Sequence, residues 1–254
     1  MSSLAAAAEP SDTAPANMRA RIIVALDVPT ADEARSLVNE LGDAASAFKV
    51  GMQLFTAAGP EFVRELTGRG INVFLDLKYH DIPNTVAAAA IEACKMGVWM
   101  LNVHAGGGSE MMRRTVDAVG EHCDIANTSK PLIIGVTVLT SSDERTLTET
   151  GLGDRLDQHV SRLARLAFAA GLDGVVASPR EVSVVKDAVS GPKFITVTPG
   201  IRALDATSDD QRRVTTIGEA FAGGSDYVVV GRPILAAADR RVALEKLVEE
   251  ARQH

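Results

Sequence analysis

Lys78 stands between two carboxylates, Asp76 and Asp81, in the run Asp76-Leu77-Lys78-Tyr79-His80-Asp81-Ile82-Pro83-Asn84-Thr85. An ammonium between anions is costly to bury. It suits proton transfer and the stabilisation of a reacting charge. The apolar run Ile71-Asn72-Val73-Phe74-Leu75 precedes it and reads as a buried strand. Strand alternation puts Asp76 and Lys78 on one face and Leu77 on the other. Ile82-Pro83 disfavours helix until Asn84 can cap the next one.

Two periods alternate from Arg21 onward. Short runs rich in Val and Ile predict strands over 22–26, 48–50, 71–75, 98–103, 132–139, 174–177, 194–197 and 227–230. Helical patterns fill 31–41, 60–68, 84–96, 109–119, 154–170, 179–189, 216–222 and 239–252. In the fifth of these, Leu156, Val160, Leu163, Ala167 and Ala170 form one apolar face. Alternating strands and helices imply right-handed crossovers and a parallel sheet. Eight repeats fit one α/β domain, a closed (β/α)8 TIM barrel. An open doubly wound sheet would usually carry a glycine fingerprint after its first strand, where Asp27-Val28-Pro29-Thr30 stands here.

A barrel enzyme works at the C-terminal ends of its strands. Asp27 ends the first strand, Lys49 lies in the second, and Asp76 and Lys78 end the third with Asp81 just beyond. His104 ends the fourth, Thr140 follows the fifth, and Arg202 and Arg232 follow the seventh and eighth. One mouth would gather them all. The last two loops read Thr198-Pro199-Gly200-Ile201-Arg202 and Gly231-Arg232-Pro233. Glycine lets backbone approach a phosphate and arginine supplies donors to its oxygens. The polar stretch 203–211 reads as a loop that closes over ligand and brings Gln211 to it.

Composition narrows the classes. A net charge of −7 argues against general nucleic-acid binding, although a local basic pocket for phosphate stays compatible with it. No apolar run approaches a membrane span. Cys94 and Cys123 lack CxxC spacing and read as buried, reduced thiols of a cytoplasmic protein. Residues 1–18 have neither apolar period nor signal-peptide layout and read as a flexible tail ahead of a catalytic domain at 19–254. The five histidines lack metal-ligand spacing, and His122, His159 and His254 read as surface residues.

The signature run resembles that of the orotidine 5′-phosphate decarboxylase family, with Tyr79 where Phe is common. Ala25-Leu26-Asp27, Phe48-Lys49-Val50-Gly51, Val138-Leu139-Thr140-Ser141, the two phosphate loops and Asp210-Gln211-Arg212-Arg213 agree with it in order. The resemblance implies a cofactor-free, metal-free decarboxylase that converts orotidine 5′-phosphate to UMP as a homodimer. It implies that Lys49, Asp76, Lys78 and Asp81 form an alternating charged network, with Lys78 giving the proton to C6. Asp81 and Thr85 would reach into the partner's site. Asp27 and Lys49 would bind the ribose, with Thr140 and Ser141 near the pyrimidine. Arg202, Gln211, Gly231 and Arg232 would hold the phosphate, while His104 is assigned a structural role.

Metal-dependent sugar-phosphate decarboxylases and aldolases on the same barrel share the Asp-x-Lys-x-x-Asp spacing. They place a carboxylate ligand in the second strand, where Lys49 stands here, and a cation beside Asp76 opposes Mg²⁺. A non-catalytic nucleotide-binding barrel is the third class, and no residue favours it.

Overall fold

The computed structural model describes residues 17–152, 155–191, 193–202 and 215–253. The long loop at 203–211, with Gln211, falls outside them, as do His254 and most of the N-terminal segment. Eight parallel strands close on themselves in chain order: β1 (Ile22–Ala25), β2 (Ala47–Gly51), β3 (Asn72–Tyr79), β4 (Met100–His104), β5 (Leu132–Val136), β6 (Gly174–Val176), β7 (Ile195–Thr198) and β8 (Tyr227–Val230). The closing pair is β1 with β8, Ile23 opposite Val229. This is the (β/α)8 barrel expected from the alternation of periods.

Helices lie between the strands: α1 (Ala31–Leu41), α2 (Met52–Gly68), α3 (Pro83–Lys95), α4 (Gly108–Ala126), α5 (Glu144–Glu149), α6 (Leu156–Ala169), α7 (Val182–Ala188) and α8 (Ile217–Ala222). The short α9 (Arg232–Leu235) and then α10 (Arg240–Arg252) follow β8. Thr30 caps α1 by accepting from Glu33 N–H, and Asp239 caps α10 by accepting from Val242 N–H. Each therefore starts where its sequence provides an oxygen for an orphan donor.

The core has two layers, set by strand alternation. Ile23, Ala25, Ala47, Phe74, Met100, Ile134, Val197 and Val229 fill the barrel interior. Their neighbours Ile22, Val24, Phe48, Val73, Leu75, Leu101 and Val228 point outward against the helices.

Four readings need correction. Helix α3 begins at Pro83, whose missing N–H suits the first helical position, so Asn84 lies inside it and does not cap it. Helix α2 begins at Met52 and not near residue 60, because Gly59 at φ 72° joins two helical segments and Pro60 opens the second. Strand β3 continues to Tyr79, with an irregularity in its pairing to β4 between Leu75 and Tyr79. His159 is buried on α6 rather than exposed: it adjoins Val160 and Leu163, at the edge of the apolar face, and burial lowers its pKa. His122 is half-buried.

Candidate active site

The same alternation that fills the interior builds the mouth. On four strands, going two residues further moves from an apolar interior side chain to a group at the mouth: Ala25 to Asp27, Ala47 to Lys49, Phe74 to Asp76, Val229 to Gly231. These groups surround a cavity of about 440 Å³ at the C-terminal end of the barrel. Asp27 just after β1, Lys49 in β2, and Asp76 and Lys78 in β3 form its charged part. Val136, Val138 and Val176, from β5, the loop after it and β6, supply an apolar part of the lining. Thr140, Gly231 and Arg232 complete the set of expected residues that border it.

The charged groups form a line. Lys49 Nζ lies 2.9 Å from Asp27 Oδ1 and 3.5 Å from Asp76 Oδ2. Lys78 Nζ donates to Asp76 Oδ1 at 2.7 Å. Burial pulls the Lys49 pKa down, yet the charges of Asp76 and Asp27 outweigh it and leave it above the ordinary lysine value. Burial likewise pushes Asp76 up, and Lys49 and Lys78 overturn that, so its carboxyl sits below the ordinary aspartate value. The alternation thus keeps the buried pair Lys49 and Asp76 charged. Gly51 makes room for it, since a Cβ there would stand 3.0 Å from Lys49 Nζ.

Lys78 has a left-handed backbone, φ 52°, which is uncommon for a residue with a side chain. The turn occurs where β3 slips against β4. Asn102, in β4 and only 1% exposed, fills the gap. Its Oδ1 accepts the Lys78 backbone N–H at 2.7 Å, and its Nδ2 donates to Asp76 Oδ1 at 2.7 Å. The sequence reading missed Asn102. An amide inside the apolar run Val98-Trp99-Met100-Leu101-Asn102-Val103 was the available signal, because a buried amide needs partners.

Other expected residues lie apart from the cavity. Asp81 is exposed, and its Oδ1 accepts the Ile82 N–H at 2.6 Å rather than meeting Lys78. Thr85 and Ser141 are exposed as well. Arg202 directly follows Ile201, which lines the cavity, and its N–H donates to Thr215 O at 3.0 Å. His104 packs its ring 5.4 Å from that of His80, and burial, then His80 and Lys78, lower its pKa. Among the described residues, no group of three or more His, Cys, Asp or Glu is placed to hold a metal ion, and no helix is long and apolar enough to cross a membrane. Between Asp27 and Asp76, where two carboxylates could share a dication, the Lys49 ammonium already stands.

Residues 20–247 match the family model described as "Orotidine 5′-phosphate decarboxylase / HUMPS family". The orotidine 5′-phosphate decarboxylase of Syntrophotalea carbinolica is 52% identical over 91% of this chain and 95% of that protein. That of Moorella thermoacetica is 50% identical, covering 91% of each chain. The crystal structure of orotidine 5′-phosphate decarboxylase from Lactobacillus acidophilus superposes with a TM-score of 0.78 at 38% identity, over 91% of this chain and 98% of that one.

Proposed function

The chain belongs to the orotidine 5′-phosphate decarboxylase / HUMPS family, and we propose that it decarboxylates orotidine 5′-phosphate to UMP and CO₂. The step belongs to de novo pyrimidine biosynthesis and proceeds without a cofactor. The observation that carries this reading is the line Asp27–Lys49–Asp76–Lys78 at the barrel mouth, opposite charges at every step.

Breaking the bond from C6 to the carboxylate leaves an electron pair on C6. No ring carbonyl is placed to delocalise it, so fixed charge must stabilise it. Lys78 supplies that charge and then its proton to C6, and solvent reprotonates the amine. Asp76 holds the ammonium from 2.7 Å. Its negative charge near the substrate carboxylate also raises the ground state. Lys49 and Asp27 offer a donor and an acceptor to the ribose hydroxyls, and Thr140 faces the pyrimidine. Arg232, Gly231, Arg202 and Gln211 hold the phosphate, whose binding energy orders the site from a distance.

Asp81 and Thr85, exposed beyond the end of β3, complete the neighbouring site in a cytoplasmic homodimer. Asp81→Ala and Lys78→Ala dimers are each expected to be inactive. Random reassortment of a mixture should return about a quarter of wild-type activity, because half the dimers are hybrid and each hybrid holds one intact site. No recovery, despite subunit exchange, would place both residues in one chain's site.

Loss of the orotate chromophore from orotidine 5′-phosphate, followed with purified protein, tests the reaction itself. Turnover should survive EDTA. Strict Mg²⁺ dependence with a sugar phosphate would instead favour the metal-dependent relatives, and inertness towards orotidine 5′-phosphate would end the present reading.

A further inference from the structure

The slip between β3 and β4 is the least regular place in the barrel wall, and it lies at the reacting end. Leu75 pairs with Leu101 and Tyr79 with Val103, so Asp76, Leu77 and Lys78 together face the single residue Asn102. The left-handed turn at Lys78 is unfavourable for a residue with a side chain and persists only where its surroundings hold it. Asn102 meets both needs created by the slip. One end of its amide accepts the N–H of Lys78; the other donates to the Asp76 oxygen that receives Lys78 Nζ. The partners fix which end is oxygen, because the reverse orientation would oppose two donors and two acceptors.

We infer that Asn102 is a positioning residue for the decarboxylation, setting the aim of the Lys78 ammonium by locking its backbone turn and its Asp76 acceptor together. This rests on the proposed reaction. Asn102 is buried beneath the mouth and is absent from the cavity lining, so it acts through Lys78 and Asp76 rather than on substrate. Its removal should therefore lower kcat while leaving phosphate-end binding intact. Misplacement of a reacting group by about 1 Å costs on the order of a hundredfold.

Asn102→Asp is the discriminating variant. It is isosteric and still accepts the Lys78 N–H, but it can donate to Asp76 only if the two carboxylates share a proton. The charged or titratable groups around that pair are Asp76 and Lys78 on β3, Lys49 on β2, and His104 two residues along β4. Carboxylates in contact titrate together, and one proton is held to higher pH than usual.

We expect kcat at pH 8 to fall about a hundredfold, with at least tenfold of it regained towards pH 5. The wild type should lack that recovery, and UMP should bind both proteins within about threefold, a loss below 1 kcal/mol. A wild-type kcat and pH profile would overturn the inference. So would kcat and UMP affinity falling in step, because that marks general damage.

Should circular dichroism show Asn102→Asp unfolded, Asn102→Gln decides, since it keeps both amide groups but sets them one methylene away. A tenfold or larger loss of kcat with UMP binding retained supports the role; kcat within twofold of wild type refutes it. A wild-type protein inert towards orotidine 5′-phosphate would remove the proposed reaction and this role together. An active wild type beside an unaffected Asn102→Asp would remove this role alone.

Discussion

Both ends of the barrel hold carboxylates, and they are used differently. At the N-terminal end, Asp226 precedes β8 and its Oδ2 accepts from Thr196 N–H at 2.7 Å, Thr196 Oγ1 at 3.0 Å and Lys186 Nζ at 2.7 Å. Asp173 precedes β6, and its Oδ2 accepts the Ile133 N–H at 2.7 Å. These side chains tie strand starts to their neighbours. At the C-terminal end, Asp27 and Asp76 meet ammonium groups instead of strand backbone, beside a cavity. The contrast teaches where to look for chemistry. A carboxylate that accepts strand N–H groups holds the wall together, whereas one paired only with side chains at a cavity edge is available to a substrate.

Lys78→Ala should break the comparison most visibly. Turnover of orotidine 5′-phosphate should drop about 10⁴-fold or more, since both the proton donor and the stabilising charge are lost. Thermal melting should move by only a few degrees. Near wild-type turnover would remove Lys78 from the chemistry. Asp226→Ala is the mirror image. It orphans the Thr196 donors and should cost about 2–3 kcal/mol of stability, a melting shift of about 4–12 °C, with kcat unchanged. A large loss of kcat in a folded Asp226→Ala protein would erase the distinction between the two ends.

Acid titration sharpens the contrast through the signs of two shifts. Asp76 has a folded pKa below its ordinary 3.8, so its contribution is present above that value and is lost as pH falls through the folded pKa. Asp173 is shifted upward, chiefly by burial, so its contribution is present below 3.8 and is lost as pH rises through its folded pKa. Melting curves from pH 7 to pH 3 should show the penalty of Asp76→Asn shrinking with acid. Asp173→Asn should have the smallest effect, a slight gain at pH 7 that disappears by pH 3, with kcat unaltered throughout. Parallel pH trends for the two variants would contradict this assignment. In alkali Lys49 follows its own rule: its raised pKa gives stability below 10.5 that is lost as pH climbs through the folded value.

Much of the wall was legible because both of its periods are local. Val and Ile runs marked all eight strands, and the strand ends gathered Asp27, Lys49 and Asp76 at one mouth. The misses share one cause. Pro60 looked like a helix start because its missing N–H suits that position, yet Gly59 lets an earlier segment join it. His159 looked polar and exposed, but its angular position beside Val160 and Leu163 turns it inward. Asn102 is a lone amide within an apolar run. Its purpose depends on Lys78 and Asp76, 24 and 26 residues away.

Which residues share a strand face follows from the pleat, and the pleat follows from the order of side chains along the chain. The order of residues therefore carries the eightfold alternation and the identity of the charged groups at the strand ends. The register between neighbours depends on packing across the whole closed sheet, and no local period contains it. Only the tertiary structure decided that β3 slips against β4, that Lys78 turns left-handed there, and that one buried amide bridges its backbone to the carboxylate it is paired with.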